Sequence, residues 1–220
     1  MNDYVKKFIL DTWGVKDRFP GPQPVSIEFK HFPILQKNNY VVCEKTDGVR
    51  YMMVALMYDG KKQCVFVNRN FEMFTAPLNF KKSIFDGTIL DGELYNHDLR
   101  DNFEKIISLV RKTKPTDEDR LEASKLTQFH CYDIIDEKLP FKHRINFVHE
   151  SLMLLGDSIY TVDTCRLFNE NEAKEFHARN LDNGYEGSIV RTNDAYQCKR
   201  SHNLRKFKDF HDAEAEITGW

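Results

Sequence analysis

The sequence predicts a mixed α+β protein with mainly antiparallel sheets flanked by helices. Three observations lead there. The first half holds four apolar runs rich in β-branched and aromatic residues, with an Asp59-Gly60 hairpin signal between the second and third. The second half interleaves segments of helical period with shorter strand-like runs. Strand hairpins first, then helices alternating with strands, and no internal repeat, argue for this class.

Taken in order, residues 1–17 ("MNDYVKKFILDTWGVKD") read as a short amphipathic helix, because apolar Phe8, Ile9 and Leu10 are bounded by charges. Residues 15–24 hold three prolines and a glycine and read as an extended segment. Strands are predicted over 40–45, 50–58, 63–70 and 88–95. Residues 102–112 place Phe103, Ile106, Ile107 and Val110 at helical spacing. A second helix is expected over 113–126, with Thr116 as its N-cap. A strand follows at 129–135, then a helix over 140–155 opened by Pro140. Residues 159–167 read as one strand, 169–184 as a helix closed by Gly184, and 185–192 as another strand. Residues 204–210 and 213–220 finish as extended pieces.

Composition sets bounds. The chain has 220 residues, 41% hydrophobic and 30% charged, which is ordinary globular composition with enough apolar material for a sizeable core. The formal net charge of -2 supplies no global basic field, although a local basic face can still bind nucleic acid. Five cysteines stand singly, without a C-x-x-C pair, which fits a reducing compartment and disfavours a zinc site. The eight histidines are dispersed and read as surface or packing residues. The N-terminal apolar stretch is too short for a signal peptide or a membrane span. These features predict an intracellular monomer, cytoplasmic or nuclear, with no membrane partner.

The stretch "VVCEKTDGVRYMM" (41–53) interrupts an apolar run with Glu44, Lys45, Thr46, Asp47 and Gly48. Comparable polar intrusions recur at Asn68-Arg69-Asn70, Asp91-Gly92-Glu93, Tyr132-Asp133, Glu186-Gly187 and Lys206-x-Lys208. Each alone suits a solvated strand end or a turn. Together they suit one cleft that takes a polyanion and a divalent metal. A nucleoside triphosphate fits that description. A lysine amine becomes nucleophilic when burial and neighbouring cations favour its neutral form. Its attack on an α-phosphorus, with loss of pyrophosphate, gives a lysyl-nucleoside monophosphate, and cations with a metal offset the developing charge. Lys206 and Lys208, two apart on a strand, share a face and can grip a phosphate. Tyr132 can stack on a base. Glu93 and Glu186 can hold a metal or a ribose hydroxyl.

The ordered series K-x-D-G, R, D-G-E, aromatic-D, E-G, K-x-K resembles the covalent nucleotidyltransferases, which include mRNA capping guanylyltransferases and ATP-dependent DNA and RNA ligases. The resemblance runs from about Phe19 to Trp220. It implies the nucleotidyltransferase fold, described as ATP-grasp-like and shared by DNA ligases and mRNA capping enzymes. It makes Lys45 the catalytic nucleophile. It implies nucleotide binding by Glu44, Thr46, Asp47, Gly48, Arg50, Arg69, Glu93, Tyr132, Glu186, Lys206 and Lys208, and metal binding by Glu93 and Glu186. The implied cofactor is Mg²⁺ or Mn²⁺, and the co-substrate is GTP, with ATP as the alternative.

The two halves point to different branches. "FPGPQPVSIE", "YVVCEKTDGVRYMM" and "FDGTILDGELY" resemble viral and eukaryotic capping guanylyltransferases. "NHDLRDNFEKIISLVRKTKPTDED", "GYEGSIVR" and "LRKFKDFHDAEAEITGW" resemble phage and viral DNA ligases. Capping enzymes usually show Asp-Gly where this chain has Glu186-Gly187, and Pro where it has Asp209. The leading expectation is transfer of GMP from GTP to a 5′-diphosphate RNA end, with a virus-encoded enzyme among the possibilities. The alternatives are the adenylyltransferase domain of a ligase that acts on a nicked DNA duplex, and a catalytically silent nucleotide-binding module. The resemblance divides the chain into a nucleotidyltransferase domain at 1–208 and a link, or first strand, at 209–220 toward an OB-fold domain supplied by a fuller protein.

Overall fold

The computed structural model describes residues 1–13, 19, 21–31, 41–74, 87–152, 158–166 and 169–208. The 209–220 link, the extended 213–220 segment, most of the proline-rich lead-in before Gly21, and residues 153–155 of the expected fourth helix lie outside them. Among the described residues the elements run α1 (Asn2–Trp13), β1 (Gln23–Ile27), β2 (Val41–Lys45), β3 (Val49–Tyr58), β4 (Lys61–Asn68), β5 (Ile89–Tyr95), α2 (Phe103–Arg111) and α3 (Asp117–Leu126). They continue with β6 (Gln128–Ile134), α4 (Phe141–Leu152), β7 (Ile159–Thr161), β8 (Thr164–Arg166), α5 (Glu170–Asp182), β9 (Gly187–Arg191) and β10 (Arg200–Phe207).

Two five-stranded sheets result, ordered β1-β10-β9-β2-β8 and β4-β3-β5-β6-β7. Pairing is antiparallel except between β1 and β10 and between β6 and β7. The expected α+β class with mainly antiparallel sheets is therefore the observed one. No helix among the described residues is long and apolar enough to cross a membrane.

Local chemistry explains most boundaries. Asp59 and Gly60 both take positive φ (50° and 68°), which matches the twist of the β3–β4 hairpin. The Asn68 side chain accepts from the backbone N–H groups of Asn70 and Glu72, each at 2.9 Å, so β4 stops at Asn68 and Arg69-Asn70 form a turn rather than more strand. Thr116 caps α3 in a reciprocal capping box with Asp119, which starts the helix at Asp117 instead of 113. Asn102 and Asn169 cap α2 and α5.

The strand expected over 159–167 is two strands in different sheets. β7 pairs with β6 and β8 pairs with β2. Between them Val162 N–H donates to Cys131 O (3.1 Å) and Asp163 O accepts from Glu44 N–H (3.3 Å), so the chain crosses from one sheet to the other. A continuous β-branched run carries no mark of such a crossing.

The second sheet is buried on both faces. Tyr51, Met53, Leu90, Leu94 and Phe129 face α2 and α4, against Ile106, Val110, Phe141 and Val148. Met52, Val54, Leu56 and Val67 face α1, against Val5 and Ile9. This is why 51–56 is apolar without alternation. The first sheet packs Ile27, Val190 and Phe207 on Ala173 and Phe176 of α5.

Charged groups join the sheets. Asp91 and Asp133 are cross-strand partners on β5 and β6, 0% and 1% exposed. Asp91 receives Arg50 Nε at 2.9 Å and Nη2 at 2.5 Å, and Tyr196 Oη at 2.7 Å. Asp133 receives Arg144 of α4 at 2.8 and 3.2 Å and Arg191 of β9 at 2.6 Å. Removing one member of a buried ion network leaves uncompensated charge. Asp133→Ala is therefore expected to lose about 3–5 kcal/mol of stability in urea unfolding, because two buried guanidinium groups lose their carboxylate. A loss under about 1 kcal/mol would show that the network does not hold the sheets together.

Candidate active site

The site begins where β2 ends. Lys45 is the last residue of β2 and sits opposite Gly187 of β9. Glu186 N–H donates to Lys45 O at 3.0 Å, which brings the two side chains together. Lys45 Nζ pairs with Glu186 Oε2, and Lys208 Nζ donates to Glu186 Oε1 at 3.0 Å. Gly187 has φ 149°, and a Cβ there would strike Phe207 O and come within 3.1 Å of Lys208 Cα. Only glycine lets β9 start this close to the strand that carries the lysines.

After β2 the chain crosses to the second sheet. Thr46 Oγ1 donates to Glu93 Oε2 at 2.7 Å, and Gly48 N–H donates to the same oxygen at 3.1 Å. The polar interruption of the apolar run thus binds a carboxylate on β5 and delivers Lys45 to Glu186. Arg50 follows on β3. Its guanidinium is committed to Asp91 and to Pro22 O (2.5 Å), and it lies 5.6 Å from the Phe19 ring and 6.0 Å from the Tyr132 ring. It forms wall and platform for the aromatic rings.

A cleft of about 380 Å³ opens between the sheets. Of the residues singled out from the sequence, Glu44, Lys45, Thr46, Arg50, Arg69, Glu93, Tyr132 and Lys206 line it. Gly48, Glu186 and Lys208 join through the contacts above. Asp47 is exposed, within electrostatic reach of Glu186, Lys45 and Lys208. Cys43, Ile189 and Arg191 also line the cleft and were not singled out, and Arg200 lines it from the basic run 198–208, whose composition suits a phosphate-binding wall. Arg191 stood inside the quoted "EGSIVR" run, as Asp91 and Asp133 stood in theirs. Arg144 and Tyr196, which complete the buried network, stand in no motif, and no local signal marks them.

Burial sets the electrostatics. It would raise the Glu186 carboxyl, but the Lys45 and Lys208 ammonium groups outweigh it and hold the group below its usual range. Glu93 is raised by burial, which the bonds from Thr46 and Gly48 and the nearby Lys45 offset only in part. Burial pushes the Glu44 carboxyl up to about 7 against a hydrogen bond from Tyr185.

Among the described residues no group of three or more His, Cys, Asp or Glu side chains forms a metal cage. Both Glu186 oxygens face lysines, and one Glu93 oxygen faces two donors. One or two carboxylates beside a cationic cleft fit a Mg²⁺-type ion carried mainly by substrate phosphates and water.

Residues 2–107 match the family model described as the mRNA capping enzyme, catalytic domain. The chain is 41% identical over 86 residues to the mRNA-capping enzyme subunit alpha of Neurospora crassa, a match covering 34% of this chain and 21% of that protein. The chain thus spans far less than two thirds of that relative. Among solved structures, it resembles a Lig E DNA ligase (TM-score 0.63, 24% identity, 91% of this chain and 74% of that one). It also resembles the ATP-dependent DNA ligase of bacteriophage T7 in complex with ATP (TM-score 0.63, 16% identity, 86% and 68%). The fold is that of these nucleotidyltransferase domains.

Glu44 generates a pH prediction. Its folded pKa lies above the ordinary glutamate value of 4.5, so its contribution to stability is fully present below 4.5 and is lost as pH rises through about 7. Glu44→Gln keeps the acceptor for Tyr185 and removes the buried charge. Relative to wild type it should gain about 3 kcal/mol above pH 7 and nothing near pH 4. Denaturant titrations at the two pH values check this, and equal differences at both would contradict it.

Proposed function

We propose that this chain is the nucleotidyltransferase domain of an mRNA capping guanylyltransferase, which takes GMP from GTP onto Lys45 and passes it to a 5′-diphosphate RNA end. The observation that carries the reading is the Lys45–Glu186–Lys208 arrangement beside a cleft that Lys206, Arg69 and Tyr132 also line. The match of residues 2–107 to the capping catalytic domain supports the choice of branch.

The chemistry follows from the residues. The Lys45 ammonium first gives up a proton, and Glu186, its bonded acceptor, is the group placed to take it. The Nζ lone pair then attacks the α-phosphorus. A P–N bond forms, the P–O bond to the β-phosphate breaks, and pyrophosphate leaves with the electron pair. Lys206, Lys208, Arg69 and Arg200 supply positive charge for the phosphates. Tyr132, resting over Arg50, offers a face to the base. Mg²⁺ or Mn²⁺, held by Glu93 and Glu186 together with the phosphates, would neutralise charge on the triphosphate. In the second step an RNA diphosphate oxygen attacks the same phosphorus and frees Lys45.

A ligase reading has its own support in Glu186-Gly187 and in the sequence around Lys206 and Lys208. There the nucleotide is ATP and the acceptor is nicked DNA.

Incubation with α-labelled GTP and ATP in parallel, with magnesium, followed by a denaturing gel, separates these readings. We expect a GTP-derived band that is acid-labile, stable to mild alkali, absent in Lys45→Ala and absent in excess chelator. Glu186→Ala should cut labelling roughly a hundredfold or more. A band with ATP alone would select the ligase reading. Labelling of Lys45→Ala would overturn the nucleophile.

A further inference from the structure

Helix α5 approaches the site from behind. Ala173, Phe176, His177 and Asn180 form its buried face. The first two pack with Ile27, Val190 and Phe207. The other two are polar, and each is only 2% exposed. A polar side chain at that depth costs desolvation unless it is bonded, so its partners show what it is for.

Asn180 directs three bonds to one short stretch of chain. Its backbone carbonyl accepts from Tyr185 N–H at 2.9 Å. Its side-chain amide donates to Ser188 Oγ at 2.9 Å and to Gly187 O at 3.3 Å. His177 Nδ1 lies 3.1 Å from the same Ser188 Oγ, and its ring lies 3.8 Å from that of Phe207, between the two lysines of the K-x-K pair. The stretch 185–188 is therefore held at both ends by one residue, through its backbone carbonyl at Tyr185 and its side-chain amide at Gly187 and Ser188, with Glu186 inside it. The bond from Glu186 N–H to Lys45 O adds a further fixed point.

We propose that Asn180 is a positioning residue for nucleotidyl transfer, acting through Glu186. By bracketing 185–188 it sets how far the Glu186 carboxylate reaches toward Lys45 and Lys208. This rests on the reading of Lys45 as the nucleophile. The amide suits the task because its Nδ2 donates to a carbonyl. An aspartate has the same shape, but it would turn an acceptor toward Gly187 O, and the bracket would open at that end.

The test uses Asn180→Asp, with Phe176→Leu as the control on the same helix face. Single-turnover labelling is measured against nucleotide concentration, and melting temperature is measured in parallel. Asn180→Asp should slow the covalent step roughly ten- to a hundredfold, the scale of a misplaced catalytic group, and leave half-saturation within about twofold of wild type. Phe176→Leu, with a melting-temperature loss at least as large, should label at the wild-type rate. If Asn180→Asp does not fold, Asn180→Ser, which retains a short donor, is read by the same split between rate and half-saturation. A wild-type rate in the Asn180 variant, or an equal slowing in Phe176→Leu, would overturn the proposal. Wild-type protein that labels with neither nucleotide would overturn the reading of Lys45, and this proposal with it.

Discussion

The structure depends on two carboxylates that cannot be left alone. Asp91 and Asp133 face each other across β5 and β6, almost wholly out of water. Like charges in cross-strand pairs repel, and buried ones are tolerable only when paired. Arg50, Arg144 and Arg191 supply the pairing, and each comes from a different element. Arg191 belongs to the first sheet, and Arg50 also holds Pro22 O ahead of β1. Compensating the charge therefore fixes one sheet against the other. A buried ion network is a poor source of net stability compared with apolar packing, but it is strict about geometry. Here that geometry is the floor of the cleft.

The site hangs from this floor. Arg50 is held by Asp91 and backs Tyr132, the only one of the singled-out residues that offers a ring to the cleft. Arg191 is held by Asp133 and lines the same cleft from the opposite sheet. Lys45 and Glu93 belong to different sheets, and the Thr46–Gly48 turn connects them through Glu93 Oε2. Sequence, turn and network thus act at one place, where a short polar segment crosses between two apolar layers.

The charge balance explains the polar interruption that opened the question of function. Glu186 sits between Lys45 and Lys208 and is held ionised by them. Neither lysine could be kept half-buried beside the other without such a partner. A triphosphate entering the cleft brings negative charge of its own, which can compete with Glu186 for both lysines. On the proposed reading, substrate binding and release of the Lys45 amine are then coupled through one carboxylate.

The sequence by itself determined the fold class and nearly every element, and it singled out Lys45, Glu93, Glu186 and the two lysines of the K-x-K pair as candidates for the site. These are legible because the signals are local. Apolar period, turn residues, caps and short polar runs within strands are all properties of neighbours along the chain. The tertiary structure alone decided the division of 159–167 between two sheets, the commitment of Arg50 to Asp91 rather than to open cleft, and the recruitment of Arg144, Tyr196 and Asn180. Arg144 reads as an ordinary helix residue, and its partner Asp133 lies eleven positions away on another element. Asn180 reads as a polar position on an acidic helix until the chain folds it onto 185–188. Pairing between distant elements is set by how layers pack and where buried charge must be met. Those constraints exist only once the chain is in three dimensions.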